Sequence, residues 1–73
     1  MSHSVNAELV ANVLKVVAKA GDRVGPEDTL VLLESMKMEI PVAAEVSGTV
    51  SEIAVKEGDV VTEGDLLAEI DEG

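Results

Sequence analysis

The chain contains one pattern twice. Residues 13–34, VLKVVAKAGDRVGPEDTLVLLE, and residues 50–71, VSEIAVKEGDVVTEGDLLAEID, align without a gap at an offset of 37, the separation of Val13 from Val50. Val13/Val50, Lys19/Lys56, Gly21/Gly58, Asp22/Asp59, Val24/Val61, Asp28/Asp65 and Leu30/Leu67 are identical, and Val16/Ile53, Leu33/Ile70 and Glu34/Asp71 are close replacements. Upstream, Ala7-Glu8 faces Ala44-Glu45. A unit this short cannot enclose a core, so two copies must cover each other. The expectation is one domain over residues 1–73 with a quasi-two-fold axis. Its first half covers about 5–34, its central segment about 34–42 and its second half about 42–71.

Each half reads as β structure. Val13 and Val50 begin runs rich in β-branched residues, with Lys15, Lys19, Glu52 and Lys56 as polar interruptions. Gly21-Asp22 and Gly58-Asp59 then mark turns in which glycine supplies positive φ and aspartate bonds the backbone two residues on. Second turns follow at Gly25-Pro26-Glu27-Asp28 and Glu63-Gly64-Asp65, and Leu30–Leu33 and Leu66–Ile70 read as buried strands. Short strands with closely spaced turns favour an all-β sandwich or barrel. Leu30–Glu39 has helix-forming residues, but its repeat mate is short and strand-like, so strand is expected there too.

Composition removes many functions. With 5 Lys+Arg against 15 Asp+Glu, the net charge is −10, which repels nucleic acid and anionic membrane surfaces. No aromatic ring is present to stack on bases. The absence of cysteine excludes a disulfide, a thiolate metal site and a cysteine nucleophile, and the one histidine, His3, lies near the amino end. No apolar run is long enough to span a bilayer, and no signal-like pattern opens the chain. A cytoplasmic protein, monomeric by itself, is expected. A hydrophobic content of 47% argues against disorder despite the acidity. The carboxylates near the carboxyl end lack calcium-loop spacing and read as a solvated surface.

The centre breaks the repeat. Glu34-Ser35-Met36-Lys37-Met38-Glu39 has no counterpart, because an offset of 37 carries Lys37 just past Gly73 or just before Met1. An axis that exchanges the halves therefore maps the Lys37 region onto the termini. With strands running the length of the domain, Lys37 lies at one end and both termini at the other. If Leu32–Glu34 and Met38–Val42 are strands, Met36-Lys37 is a two-residue loop. Such loops prefer Asn-Gly because φ must be positive. Met-Lys breaks that rule in a chain whose other turns keep theirs; such a local conflict points to function, and a longer or irregular turn is an equal reading of these residues. Met36 and Met38 lie two apart, so on an extended chain they share a face and Lys37 takes the other. Methionine more commonly fills gaps in a core, but here both are expected to be at least partly exposed, where an adaptable side chain suits contact with several partners. Ordinary solvated strand ends are an equal reading of Glu34 and Glu39.

The hexapeptide E-S-M-K-M-E, Glu34 to Glu39, resembles the attachment motif of biotinyl domains, usually E-A-M-K-M. The repeated K-x-G-D-x-V, Gly48-Thr49-Val50 and the closing Leu66-Leu67-Ala68-Glu69-Ile70 are similar to the same family. The likeness covers roughly Val5 to Asp71. It implies a flattened β-barrel of two four-stranded antiparallel sheets with Lys37 at a hairpin tip, carrying biotin in amide linkage. It also implies three partners: a biotin protein ligase, and biotin carboxylase and carboxyltransferase components between which carboxyl groups are carried. Glu34, Ser35, Met36, Met38 and Glu39 would help those partners recognise the tip. Departures are Ser35 for alanine, Ala11-Asn12 where glycine is usual, and Glu27 where the second half has Gly64. The gapless repeat leaves no room for the protruding thumb of some acetyl-CoA carboxylase carriers, so the chain is most like thumbless carrier domains; without the Ala/Pro-rich linker usual in the family, it resembles a free-standing carrier protein or an excised domain. An unassisted lysine amine is protonated at neutral pH, which makes the domain a recipient and not a catalyst. Two alternatives stand beside this reading. A lipoyl domain shares the fold, but its lysine is usually flanked by Asp and Ala. An unmodified acidic β-sandwich interaction module explains the composition but not the break at M-K-M.

Overall fold

Eight strands organise residues 1–73 of the computed structural model: β1 (Ser2–Asn6), β2 (Ala11–Val16), β3 (Arg23–Val24), β4 (Thr29–Ser35), β5 (Met38–Ala43), β6 (Gly48–Ile53), β7 (Val60–Val61) and β8 (Leu66–Asp71). They form two four-stranded sheets, ordered β1-β8-β6-β3 and β5-β4-β2-β7, with every pairing antiparallel. The repeat explains the order. A shift of 37 residues takes β1 to β5, β2 to β6, β3 to β7 and β4 to β8, so the operation that exchanges the halves also exchanges the sheets. Each sheet draws two strands from each half, and neither half has a sheet of its own. The expected all-β barrel-sandwich is the observed fold, and Leu30–Glu39 is strand, turn and strand.

The core has the same symmetry. Val13 and Val50, Val24 and Val61, Leu30 and Leu67, Val31 and Ala68, and Leu33 and Ile70 are all buried, as are Ala7 and Ala44. Small aliphatic side chains let the two sheets approach closely; burial alternates at the start of β2 and β6, while in β4 and β8 two successive residues are buried. No polar or charged side chain is buried. Pro41 lies on β5, an edge strand, where its missing N–H costs no ladder bond to a further neighbour.

The turns lock the halves together. Gly21 N–H donates to the Val50 carbonyl and Val50 N–H to the Asp22 carbonyl, while Gly58 N–H donates to Val13 and Val13 N–H to Asp59. The Gly-Asp turn of each half is thus bonded to the long strand of the other. The turns share one construction: the aspartate N–H bonds the carbonyl three residues back, and its carboxylate accepts that same residue's N–H. The pairs are Lys19/Asp22, Gly25/Asp28, Lys56/Asp59 and Thr62/Asp65. The carboxylates therefore reach back three residues, not forward two as the sequence suggested, because the turn closes in front of them. Gly21 and Gly58 hold φ of 97° and 92°, as the third residue of a type II turn requires. The turn at Gly25 reaches the same bonds without positive φ at Glu27, with Pro26 presetting its second residue.

Gly48 serves by its size. A Cβ there would lie 2.3 Å from the Asp71 carbonyl oxygen and 2.9 Å from Ile70 Cγ2. Its repeat mate Ala11 is buried with its methyl group in place, so the symmetry is relaxed at this position.

Candidate functional site

The β4–β5 hairpin pairs Leu33 with Ile40, Glu34 with Glu39 and Ser35 with Met38, leaving Met36-Lys37 as its two-residue loop. Met36 has φ of 53° and Lys37 of 66°. Positive φ at both central residues is the pattern of a type I′ turn, whose twist matches that of the flanking strands. The conflict expected from the sequence is therefore present in the backbone: two long-chain residues occupy positions suited to Asn-Gly. It also corrects the expectation that Met36 and Met38 share a face. That alternation needs extended backbone, and Met36 has left the extended region.

Met36 is 89% exposed and Met38 61%; Lys37 is exposed as well. The Met1 ammonium lies 4.0 Å from Asp71 Oδ1 and His3 Nε2 hydrogen-bonds Glu45 Oε1 at 3.0 Å; no carboxylate lies within 4 Å of the Lys37 amine. Glu34 and Glu39, the carboxylates nearest in sequence, face each other across the hairpin. Like charges directly opposite are destabilising. Glu52 and Glu69 form a second such pair on β6 and β8, so the acidic chain tolerates this arrangement elsewhere. Ser35 is half-buried beneath the loop.

Two residues beside the tip were not singled out by sequence. Val10 and Val60 are 63% and 67% exposed. With Asn12, Glu34, Ser35 and Met36 they surround a shallow concavity of about 270 Å³ that Lys37 also borders. They come from separate segments, and the pairings of β2 with β4 and with β7 bring them together. The repeat held the signal: Val10 is the mate of Ser47 and Val60 of Arg23, so the tip is apolar where the opposite end is polar. At that opposite end the termini meet. Met1 N donates to the Gly73 carbonyl at 2.7 Å and Glu72 N–H to the Met1 carbonyl at 2.7 Å. No cluster of side chains there or elsewhere could hold a metal ion, and no helix is long and apolar enough to cross a membrane.

Comparison with known proteins bears on this geometry. Residues 3–70 match the biotin/lipoyl domain family, described as biotin-requiring enzyme. The chain is 59% identical over 70 residues to the biotinylated protein TB7.3 homolog of Mycobacterium leprae, covering 96% of this chain and 99% of that one. It is 48% identical over 67 residues to the biotin/lipoyl attachment protein of Bacillus subtilis, covering 92% of each. Among solved structures, the urea carboxylase of Kluyveromyces lactis superposes with a TM-score of 0.91 at 38% identity. That match covers 97% of this chain but only 6% of the carboxylase.

Proposed function

Because the chain belongs to the biotin/lipoyl domain family, we propose that it is a biotin carrier whose attachment point is Lys37. One observation carries the choice of residue: Lys37 occupies a left-handed position in a two-residue turn at the break of the repeat. The other lysines, Lys15, Lys19 and Lys56, lie in or beside strands and in turns that the repeat duplicates or the pattern explains. The name of the Mycobacterium leprae relative, which says that it is biotinylated, favours biotin over the lipoyl alternative. So do Met36 and Met38, where lipoyl domains usually have Asp and Ala. An unmodified interaction module accounts for neither.

The residues fit an acyl acceptor. The Lys37 amine has no partner to lose, and the hairpin presents it clear of the barrel. A ligase must take its proton and aim it, since the domain supplies no base. Met36 and Met38 give that ligase an adaptable apolar contact, and Glu34 and Glu39 meet its basic surface. Once amide-linked, biotin supplies the group-carrying chemistry that joins a biotin carboxylase site to a carboxyltransferase site. The domain holds the tether on a rigid hairpin and raises the local concentration of the cofactor at both sites. It performs no catalysis itself.

Expression with a biotin ligase and biotin, followed by intact mass and streptavidin binding, tests this reading. The expected result is one biotin amide per chain, absent in Lys37→Arg. Modification that survives in Lys37→Arg, or a lipoyl mass, overturns it.

A further inference from the structure

The concavity beside Lys37 has no role in attachment as described. Its lining is half apolar, from Val10, Ala11, Met36 and Val60, and half polar, from Asn12, Glu34, Ser35 and Lys37. At the pseudo-symmetric end, the mates of Val10 and Val60 are Ser47 and Arg23, both exposed. The backbone frame is the same at both ends, since Asn12 pairs with Val60 as Thr49 pairs with Arg23. The fold therefore does not require exposed valines at these positions. They occur at the end that carries the lysine.

We propose that this concavity is a resting site for the head group of a biotin tethered to Lys37. The inference rests on the attachment reading. A biotin head has an apolar thioether ring and a ureido edge that donates through N–H and accepts through its carbonyl. The two valines and Met36 match the ring. The Glu34 carboxylate accepts from a ureido N–H, the Asn12 amide donates or accepts, and the Ser35 hydroxyl donates to the carbonyl. Lys37 borders the concavity, so the flexible tether need only fold back. At about 270 Å³ and open to solvent, the site falls below the ~300–1,000 Å³ of ordinary small-molecule pockets, and its intrinsic affinity is low. Tethering compensates: a short flexible linker gives an effective concentration on the order of 1 mM, so a contact with Kd of ~1 mM is half occupied. Such a site shields the apolar head between visits and releases it readily to a partner.

Methyl and amide NMR spectra distinguish this site from simple attachment. Three forms of the chain are compared: unmodified, biotinylated, and carrying acetyl-lysine at position 37, which removes the charge but adds no head group. Mass spectrometry first establishes the biotin on Lys37. An unmodified Lys37 defeats the attachment reading and this proposal with it. With biotin on Lys37, the Val10 and Val60 methyls and the Asn12 side-chain amide are expected to shift relative to the acetylated form, with cross-peaks to biotin ring protons. The double variant Val10→Ser, Val60→Arg carries the residues the fold already accepts at the mate positions. It is expected to accept biotin and lose those cross-peaks. Biotin on Lys37 with the valine methyls as in the acetylated form overturns the resting site and leaves attachment standing.

Discussion

Met36 and Lys37 occupy a region of φ that costs an L-residue roughly 1–2 kcal/mol relative to its preferred conformations. The hairpin imposes it, because only a turn of that twist joins β4 to β5 through two residues. Asparagine tolerates left-handed backbone far better than methionine. Met36→Asn is therefore expected to stabilise the domain by about 0.5–1 kcal/mol, part of the ~1–2 kcal/mol that left-handed backbone costs, raising the thermal midpoint by roughly 2–8 °C for a chain of this size. The same variant is expected to slow biotinylation by the ligase, because it removes an apolar side chain that stands 89% exposed. Thermal melts and initial labelling rates measured together separate the two effects. A variant no more stable than the parent sinks the argument that the turn is strained, and an unchanged rate removes Met36 from recognition. Glu45 is the only other non-glycine residue at positive φ, at 73°. No sequence signal marks it, since its mate Glu8 has the same side chain and does not share the conformation.

Among elements, the turns and most of the long strands were legible; the short strands were not, nor was β1, whose Ser2–Asn6 reads as a frayed end and is ordered by its pairing with β8. The Gly-Asp pairs marked turns because glycine and aspartate each have a physical reason to be there. The apolar runs marked β2, β4, β6 and β8 because one face of each is buried. The two-residue strands β3 and β7 have no periodicity to read; they exist because β6 and β2 offer them an edge. The tip was legible because Lys37 sits where the repeat fails. Its flank was not, because Val10 and Val60 are distant in sequence and meet only through the pairing of β2 with β4 and β7. The aspartate turns also carry a quantitative expectation. Asp22 and Asp59 perform the same task in the two halves, each accepting a backbone N–H at 3.0 Å. Asp22→Ala and Asp59→Ala should each cost about 0.5–1.5 kcal/mol, the usual net worth of one hydrogen bond. The turns share no hydrogen-bond partner, so the double variant should cost the sum within ~0.5 kcal/mol. Urea titrations of the three variants check this. Markedly unequal single costs would show that the sequence repeat is not an energetic one.

At the scale of the whole molecule, the quasi-two-fold axis relates a closed hairpin at one end to the chain termini at the other. Ser35 pairs with Met38 to close the Met36-Lys37 loop, and their repeat mates are Glu72 and Met1, which are already hydrogen-bonded. Gly73 occupies the place of Met36, at φ of 113°. One inserted residue after Gly73, joined to Met1, completes a two-residue loop in the place of Met36-Lys37. A glycine in that insertion gives Gly-Gly, a sequence that suits primed hairpin turns. Opening the chain between Met36 and Lys37 then yields a permutant in which the two ends have exchanged roles. The loop closed and the loop opened have the same length, so their closure entropies cancel. Every strand keeps its neighbours. The permutant should therefore unfold cooperatively with a β-rich circular dichroism spectrum, within about 1–2 kcal/mol of the parent, the difference arising from turn residues. It should also lose rapid biotinylation at the Lys37 side chain, since the hairpin that presents it is cut. A permutant that fails to fold would show that the β4–β5 turn holds the barrel together in a way the termini do not. One that folds and is still labelled at the parent rate would show that the ligase reads the strand ends and not the turn.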